Sequence, residues 1–421
     1  MKLSTILTMF GLMFCLACGD DTDSDDEKGQ DKDTSMDSDT TAEAVVCDEP
    51  VVPDVEELET IDSLPDPFLF MNGERVTSKD AWSCRRAEML ALIEAYVYGP
   101  TPPEPDAVTG EMDGDTLTVT VTEGDKSIDF SVTIIPPSSG GEGPFPAVIA
   151  YWASSFPEEE IGDRGVATIN FMNDDIAEQQ DRSSLGKGKF YDLYGSDHPA
   201  GAITAWAWGV SRLIDALEST PEANIDPTHL AVTGCSRNGK GALVAGAFDE
   251  RIALTIPVES GAGGDSNWRV ADVEYAEGAE VQTARQIITE NVWMAPAFRD
   301  FVYNVRKLPV DQHSVAALVA PRGLLLIENT SMQWLCPICC YTTATAAKAV
   351  WTALGVPENM GFSQDGHSDH CVFPAAQEPD LAAFVSRFLL DEEGETDFLK
   401  TDGSFEVDEE TWIPWETPSL E

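Results

Sequence analysis

The sequence predicts one α/β domain: a mostly parallel β-sheet covered by helices on both faces, in a three-layer sandwich. Two observations indicate this class. Short, unbroken apolar runs recur along the chain, and such runs are typical of strands buried on both faces of a sheet. Helical patterns separate them, and buried strands alternating with helices favour parallel pairing. No linker divides residues 46–421, so we expect a single domain there.

The individual elements follow from these patterns in chain order. Alternating polar and apolar residues over 115–135 predict a β-hairpin, which we place at the antiparallel start of the sheet. The apolar runs predict five buried strands, at Pro144–Trp152, Gly165–Met172, His229–Gly234, Ile252–Val258 and Gly323–Asn329. Apolar residues at helical spacing predict helices at Ala200–Ser219, Thr342–Gly355 and Asp380–Leu390.

The N-terminus, MKLSTILTMFGLMFCLACGDD, predicts an export signal over residues 1–17. Lys2 gives the charged end, and the apolar run that follows is too short to span a membrane comfortably. The segment CLAC resembles a lipoprotein cleavage site that would leave Cys18 lipidated, although Cys15 stands where leucine is usual; simple secretion is the alternative. Residues 18–45 are acidic and almost free of apolar side chains, which predicts a disordered tether.

The net charge of −50 excludes one class of partner and sets the character of the surface. Nucleic acids need a basic stripe on the protein, and no such stripe is visible, so we expect no nucleic-acid binding. The acidity is best explained as a strongly solvated surface. Hydrophobic residues still make up 43% of the chain, enough for a substantial core. We expect a monomer that meets a membrane only through a lipid at Cys18.

Export makes the cysteine count informative. Without Cys15 and Cys18 the chain has seven cysteines, an odd number for an oxidising compartment, so at least one thiol is free or paired outside the chain. The segment CPICC, residues 336–340, resembles part of a zinc knuckle. No second pair of ligands follows at a suitable spacing, so we do not expect structural zinc.

The stretch VTGCSRNGKGA, residues 232–242, has two interpretations. From Gly234 it matches most of a phosphate-binding loop, and around Ser236 it is a strand-to-helix turn that presents a nucleophile. A phosphate-binding loop needs Ser or Thr after its lysine to bind magnesium, and Gly241 follows Lys240 here. The sequence therefore favours Ser236 as a nucleophile.

Partners for that serine come at the ends of later elements. Glu259 directly follows a predicted strand, and His370 lies in the loop before the last predicted helix. A serine hydroxyl needs an imidazole to take its proton, and the imidazole needs a carboxylate to orient it. The chain order serine, acid, histidine is that of α/β-hydrolases. Two alternatives stay open: Glu328, at the end of another strand, could be the acid, and His367 could be the base.

Four motifs make the comparison specific: GCSRNGKGA from Gly234, ESGAGG from Glu259, VQTA from Val281 and HCVFP from His370. Together they closely resemble the glucuronoyl esterase family of carbohydrate esterases, and the resemblance runs from about Cys47 to the C-terminus. Members of that family are α/β-hydrolases that cleave esters between glucuronic acid on xylan and lignin alcohols.

The resemblance implies roles for particular residues. Ser236 would be the nucleophile, His370 the base, Glu259 the acid, and the Arg237 side chain an oxyanion donor. The residues implied to hold the glucuronoyl ring are Lys240, Gln282, Glu290 and Trp334.

The resemblance also implies disulfides, Cys235 with Cys371 and Cys47 with Cys84. A third bridge of fungal relatives would need cysteines at Asn267 and Thr343, where this chain has none. The role of Cys336, Cys339 and Cys340 stays open, with a local bridge as one option.

The expected reaction is the hydrolysis of 4-O-methyl-glucuronoyl esters through an acyl-enzyme, with no metal or organic cofactor. Two alternatives are kept. One is an esterase of the same fold that acts on another carbohydrate ester, such as acetylated xylan. The other is a relative that binds carbohydrate without catalysis.

Overall fold

A computed structural model describes residues 46–152 and 156–421. The predicted export signal, the lipid-bearing Cys18 and the acidic tether lie outside the described residues. The described residues all belong to one compact unit.

The described residues form a ten-stranded sheet at the centre of the domain, in the order β1-β2-β3-β5-β4-β6-β7-β8-β9-β10. The strands are β1 (Ala107–Asp113), β2 (Thr116–Glu123), β3 (Lys126–Ile135), β4 (Phe145–Tyr151), β5 (Ala167–Phe171), β6 (Ile225–Cys235), β7 (Leu254–Val258), β8 (Gly323–Glu328), β9 (Met360–Gln364) and β10 (Phe398–Thr401). The pairs β1–β2, β2–β3 and β3–β5 are antiparallel, and every later pair is parallel. The predicted mostly parallel sheet with an antiparallel start is therefore confirmed.

Twelve α-helices of the described residues surround the sheet. They are α1 (Lys79–Ile93), α2 (Glu158–Asp163), α3 (Asn173–Ile176), α4 (Lys189–Tyr194), α5 (Ala202–Ser219), α6 (Arg237–Phe248), α7 (Trp268–Glu277), α8 (Ala284–Glu290), α9 (Gln312–Ala317), α10 (Pro337–Leu354), α11 (Glu378–Leu389) and α12 (Glu409–Trp412). None of these helices in the described ranges has both the length and the apolar character needed to cross a membrane.

The two faces of the sheet bury two separate cores. Neighbouring strand residues fall into different cores: Ile149 joins the larger one, which includes α5, α6 and α10, whereas Val148 joins the smaller one under α11. Successive side chains of a strand point to opposite faces, so this division places helices on both sides of the sheet. The three-layer sandwich predicted from the sequence is confirmed.

Three strands were not predicted from the sequence: β1 lies at one end of the sheet, and β9 and β10 lie at the other. β1 alternates between exposed and half-buried residues, so it lacks an apolar run. It lies close to the chain after α5, where a Cβ on Gly110 would come 2.2 Å from the Thr220 hydroxyl. β9 and β10 are short and carry polar residues. β9 takes its place by pairing with β8 and β10 by pairing with β9, and a local pattern does not reveal such pairing.

Candidate active site

The turn between β6 and α6 holds Ser236 in a strained conformation. Its φ is +60° and its ψ is −125°, a region that residues other than glycine seldom occupy. Flanking glycines make the turn possible: a Cβ on Gly234 would lie 2.5 Å from the Asn238 carbonyl oxygen, and one on Gly239 would lie 2.8 Å from that of Val258. This is the geometry of a nucleophile turn, and the glycines serve close backbone approach.

Glu259 directly follows the neighbouring strand, at the same position along the sheet as Ser236. Cys235 of β6 pairs with Val258 of β7, so the next residues, Ser236 and Glu259, leave the sheet side by side. The Ser236 N–H donates to the Val258 carbonyl at 2.9 Å. Glu259 also has a positive φ, of +44°, which turns its side chain away from the strand. Strand register thus sets the spacing between the serine and the acid.

His370 contacts that acid directly. Its Nδ1 lies 2.5 Å from Glu259 Oε2, and the same oxygen accepts the Cys371 backbone N–H at 2.8 Å. Burial alone would raise the pKa of Glu259, but these hydrogen bonds and the nearby imidazoles outweigh it, and the pKa lies below its usual value. Glu259 is therefore an anion, suited to orient an imidazole and stabilise its protonated form.

The other ring nitrogen of His370 is available for chemistry. Nε2 is buried, and no described residue forms a hydrogen bond with it. His370 lines the same cavity as Ser236, and its ring packs edge-on against Trp334 with centroids 4.7 Å apart. Glu259 and Trp334 together hold the ring, and Nε2 stays without a hydrogen-bond partner among the described residues.

His367, the alternative base, contacts the same carboxylate from the other side. Its Nε2 lies 2.8 Å from Glu259 Oε1, close enough for an ion pair but without the alignment of a hydrogen bond. Asn329 fixes this segment, because its amide donates to the His367 carbonyl and to Glu259 Oε1, and its oxygen accepts the His367 N–H. His367 does not line the cavity at Ser236, so the geometry favours His370 as the base.

Glu328, the alternative acid, points elsewhere. Its Oε1 accepts the Ser260 N–H at 2.7 Å, and it contacts neither histidine. Burial and the neighbouring Asp265 carboxylate raise the pKa of Glu328 well above its usual range. A carboxyl whose pKa is raised and which contacts neither histidine is poorly suited to balance an imidazolium, so the geometry and the electrostatics both favour Glu259 as the acid.

The candidate substrate-binding residues surround one cavity of about 320 Å³, which we call the first cavity. It is lined by Ser236, Arg237, Lys240, Gln282, Glu290, Trp293, Trp334 and His370. Thus every site residue predicted from the sequence lines it except Glu259, which lies behind His370. The Gln282 amide donates to Glu290 at 3.3 Å, so these two polar groups form one side of the cavity.

Trp293 is a site residue that the sequence analysis missed. Its ring lies beneath both cations, 5.4 Å from the Arg237 guanidinium carbon and 5.6 Å from Lys240 Nζ. Its own N–H donates to Gln179 at 2.8 Å, which fixes the ring. The only local signal was its place three residues after Glu290, and that spacing carries no chemistry by itself.

Lys240 is the buried cation of the site. Its side chain is 3% exposed, and its Nζ donates to the Ser260 carbonyl at 2.5 Å. Burial lowers the pKa of Lys240 to about 8, with partial compensation from the carboxyl groups of Glu290, Glu328 and Asp265. The ammonium is thus charged at neutral pH and loses its charge in mildly alkaline solution.

A second cavity, of about 540 Å³, adjoins the first. It shares Ser236, Arg237 and His370 with the first cavity and is otherwise lined by Tyr151, Trp152, Asn173, Asp174, Gln179, Cys235, Asn238 and Cys371. The candidate nucleophile and base therefore lie between two cavities of different composition.

Disulfides connect the site to the rest of the domain. Cys235 is bonded to Cys371, which links the serine turn to the histidine loop, and Cys47 is bonded to Cys84. Both predicted bridges are confirmed. At the position of the absent third bridge, the Asn267 amide donates to the Thr343 hydroxyl at 3.2 Å, so a hydrogen bond joins the same two segments.

The CPICC segment contains a local bridge. Cys336 is bonded to Cys339, and Cys340 is a buried free thiol. Bonded sulfurs cannot serve as thiolate ligands, so the segment is not a zinc knuckle. Three disulfides among the described cysteines are typical of a protein of an oxidising, exported compartment.

These features define a class. A serine on a strained strand-to-helix turn, an acid after the next strand and a histidine in a later loop, all at the carboxyl ends of a mostly parallel sheet, are those of an α/β-hydrolase.

The comparisons with known proteins give the family. Residues 119–355 match the family described as "Glucuronyl esterase, fungi". The chain is 52% identical over 357 residues to the 4-O-methyl-glucuronoyl methylesterase of Hypocrea jecorina, covering 85% of this chain and 76% of that protein. The enzyme of that name from Schizophyllum commune is 49% identical over 363 residues, covering 85% of this chain and 91% of that protein. The chain therefore belongs to the glucuronoyl esterase family.

Comparison with solved structures supports the same family. The glucuronoyl esterase catalytic domain of Hypocrea jecorina has a TM-score of 0.84 and 49% identity, covering 89% of this chain and 100% of that domain. A second solved structure is a mutant glucuronoyl esterase from Sporotrichum thermophile in complex with methyl 4-O-methyl-β-D-glucopyranuronate. It has a TM-score of 0.83 and 44% identity, covering 89% of this chain and 100% of that one.

Proposed function

We propose that this protein is a serine esterase that hydrolyses esters of (4-O-methyl-)glucuronic acid, with glucuronoxylan esterified to lignin alcohols as its polymer. The observation that carries the proposal is the first cavity, where a nucleophile turn and its histidine meet a buried lysine, a Gln–Glu pair and an indole within a space for one sugar ring. Membership of the glucuronoyl esterase family supports it.

In the first half of the proposed reaction, Ser236 Oγ attacks the uronoyl carbonyl while His370 Nε2 takes its proton. The carbonyl oxygen becomes an anion, which the Arg237 backbone N–H and guanidinium stabilise where the charge develops. The imidazolium of His370, balanced by Glu259, then protonates the departing alcohol. The products of this half are the free alcohol and a glucuronoyl ester of the serine.

In the second half, water attacks the acyl-enzyme. His370 takes a proton from that water as it did from the serine, and Arg237 again stabilises the oxyanion. Collapse of the intermediate returns the proton to Ser236 and releases glucuronate. Ser236, His370 and the attacking water account for each proton in this cycle.

Recognition of the sugar is proposed to come from the other residues that line the first cavity. The ammonium of Lys240 and the amide of Gln282 donate hydrogen bonds to ring hydroxyls, and the carboxylate of Glu290 accepts them. Trp334 offers an apolar face to sugar C–H groups. An acidic protein that releases a uronic acid needs local positive charge, and Arg237 and Lys240 supply it.

Substrate competition tests this proposal. The wild-type enzyme is expected to hydrolyse methyl and benzyl glucuronate with kcat/KM at least about 10² above that on acetylated xylan, because an acetyl group leaves the sugar-binding groups of the first cavity unpaired. A preference for acetylated xylan would overturn the choice of substrate.

The cellular setting is a further part of the proposal. We infer that residues 1–17 direct export, that 18–45 form a tether and that 46–421 act as one monomeric catalytic domain. A lipid on Cys18 would hold that domain at a membrane. Mass spectrometry of the N-terminus of the natively expressed protein distinguishes a diacylated Cys18 from an unmodified secreted N-terminus. Cleavage of the export signal that is insensitive to globomycin would contradict the lipid on Cys18.

A further inference from the structure

Two buried acidic side chains near Lys240 are not used by the proposed reaction. They are Asp265, in the loop between β7 and α7, and Glu328, the last residue of β8, and each is 1% exposed. One oxygen of each carboxyl group and the Cys340 sulfur lie within 4.8 Å of one another. Burying carboxyl groups costs free energy unless they are paired, so the partners of these two decide what they do.

Both carboxyl groups bind Ser260, the residue that follows the candidate acid. The Ser260 N–H donates to Glu328 Oε1 at 2.7 Å, and the Ser260 hydroxyl donates to Asp265 Oδ1 at 2.7 Å. The hydroxyl oxygen in turn accepts the Asp265 backbone N–H at 2.9 Å. The remaining polar group of Ser260 is its carbonyl, which accepts the Lys240 ammonium. The two carboxyl groups therefore hold the backbone segment that anchors Lys240.

The other oxygens of the pair indicate a shared proton. Asp265 Oδ2 and Glu328 Oε2 are buried and have no hydrogen-bond partner among the described residues. Two ionised carboxylates at this separation repel each other, and one proton between them removes the repulsion and gives both oxygens a partner. Burial raises the pKa of both groups, and the Asp265 carboxylate raises the pKa of Glu328 further. The pair then carries one negative charge.

The hydrogen-bond donors around the pair favour Asp265 as the charged member. Asp265 accepts the Ser260 hydroxyl, and burial raises the pKa of the Cys340 thiol, so that thiol keeps its proton and is a second donor to Asp265. Among the described residues, Glu328 Oε1 accepts the Ser260 N–H alone. Hydrogen bonds to a carboxylate favour its charged form, so the proton belongs on Glu328 and the charge on Asp265.

Lys240 needs such a charge because it is buried, which lowers its pKa to about 8. The charged groups that act on it are Glu290 from α8, Glu328 from β8, Asp265 from the loop, and Arg237 from α6, which opposes its charge. Glu290 is exposed, so water screens it, whereas the Asp265 carboxylate is buried and acts through a medium of low dielectric constant. Asp265 is therefore the better counterion for the ammonium.

We propose that Asp265 is a positioning residue for sugar recognition: it supplies the buried negative charge that keeps Lys240 protonated and anchored on the Ser260 carbonyl. This inference rests on the proposed function, in which the Lys240 ammonium binds the sugar. Asp265 lines neither cavity, so it acts on substrate binding through Lys240 and leaves the chemical step unchanged.

The test follows the titration of Lys240 in Asp265→Asn, which keeps the shape of the side chain and removes its charge. Nuclear magnetic resonance of protein carrying isotope-labelled lysine reports the protonation state through the Cε chemical shift, and Lys240→Met identifies the signal. We expect the midpoint of the Lys240 titration to fall by about one pH unit in Asp265→Asn, because one opposite charge close by is lost.

Hydrolysis of methyl glucuronate measures the consequence for binding. At about pH 7.5 that fall would reduce the charged fraction of Lys240 about threefold, so KM should rise about threefold while kcat stays within about twofold of the wild type. At about pH 6 Lys240 is largely charged in both proteins, and KM should match that of the wild type. A KM that rises equally at both pH values would show a purely structural role and overturn the proposal.

Asp380→Asn is the matched control. Asp380 is also a buried carboxyl group that accepts a serine hydroxyl, from Ser363 at 2.7 Å, and it lines neither cavity. This variant should keep the wild-type midpoint of Lys240 and the wild-type KM. An equal fall of the midpoint in Asp380→Asn would mean that any lost buried carboxylate has this effect, which overturns the specific role of Asp265.

Glu328→Gln is a second variant, which tests the proposal even where Asp265→Asn does not fold. If the charge lies on Asp265, replacing its protonated partner leaves that charge in place, and the Lys240 midpoint should stay within about 0.3 pH unit of the wild type. A fall of about one pH unit in Glu328→Gln would place the charge on Glu328 and overturn the proposal.

The titration needs no esterase activity, so this inference and the proposed function can fail separately. A wild type that does not hydrolyse methyl glucuronate refutes the proposed function, and the titration still tests the link between Asp265 and Lys240. An unchanged midpoint in Asp265→Asn, with folding verified by thermal unfolding, refutes the role of Asp265 and leaves the esterase intact.

Discussion

Replacing Glu259 by glutamine tests the electrostatics of the site most severely. The shape of the side chain is kept, but the amide cannot satisfy all four groups around the carboxylate. One oxygen meets His370 and the Cys371 N–H, and the other faces His367 and the Asn329 amide. In either orientation of the glutamine amide, its NH₂ group faces two of the groups that contact a carboxylate oxygen of Glu259 in the wild type.

The expected loss follows from the missing charge. Even in the better orientation, with the amide oxygen toward His370, no anion remains to balance the imidazolium formed when Ser236 loses its proton. Such a change costs about 10³–10⁴ in kcat, which corresponds to about 4–5.5 kcal/mol of barrier. Steady-state hydrolysis of benzyl glucuronate, with KM determined separately, measures it.

Glu328→Gln is the matched control. Burial and the Asp265 carboxylate raise the pKa of Glu328, and glutamine imitates a protonated glutamate: its oxygen can still accept the Ser260 N–H, and its NH₂ can face Asp265. We therefore expect kcat to stay within about threefold of the wild type. The reasoning is refuted if Glu259→Gln keeps near-normal kcat while Glu328→Gln is inactive.

Three other changes probe the remaining parts of the site. Lys240→Met should raise KM by about ten- to a hundredfold through loss of a charged hydrogen bond to the sugar; a KM equal to that of the wild type would remove Lys240 from recognition. Because burial lowers the pKa of Lys240 to about 8, the wild-type KM should rise as the pH increases through that value, and the rise should vanish in Lys240→Met. Arg237→Met should lower kcat by about 10²–10³, as expected for one lost oxyanion donor, whereas an unchanged kcat would place the guanidinium outside the oxyanion site. Replacing Cys235 and Cys371 together by alanine opens a link between residues 136 apart and should lower the free energy of unfolding by about 2–5 kcal/mol, measured in urea; a stability equal to that of the wild type would show that the bridge does not constrain the chain.

Strand order made the candidate centre predictable from the sequence. Ser236 and Glu259 each follow a continuous apolar run, and runs of that kind form adjacent parallel strands whose ends meet. The glycines around Ser236 also carried a local signal, since only a tight turn requires them. The structure adds that Ser236 and Glu259 lie side by side at the end of the sheet, because Cys235 pairs with Val258.

Other contacts could not be predicted by physical reasoning on the sequence. Gln282 and Glu290 were named only through the family resemblance, since neither position has a pattern of its own. Trp293 and Asn329 were missed because their roles depend on partners far along the chain, Gln179 for one and His367 for the other. Local patterns report periodicity, and such contacts depend on how distant loops meet.

The central claim is that Ser236 carries the glucuronoyl group during hydrolysis. Rapid acid quench of the wild type with benzyl glucuronate, followed by peptide mass spectrometry, tests it most directly, with Ser219→Ala as an exposed serine control. We expect the mass of one glucuronoyl group on the peptide that contains Ser236 in the wild type and in the control, and neither adduct nor turnover in Ser236→Ala. Turnover at the wild-type rate by Ser236→Ala, or an adduct on another residue, would contradict it.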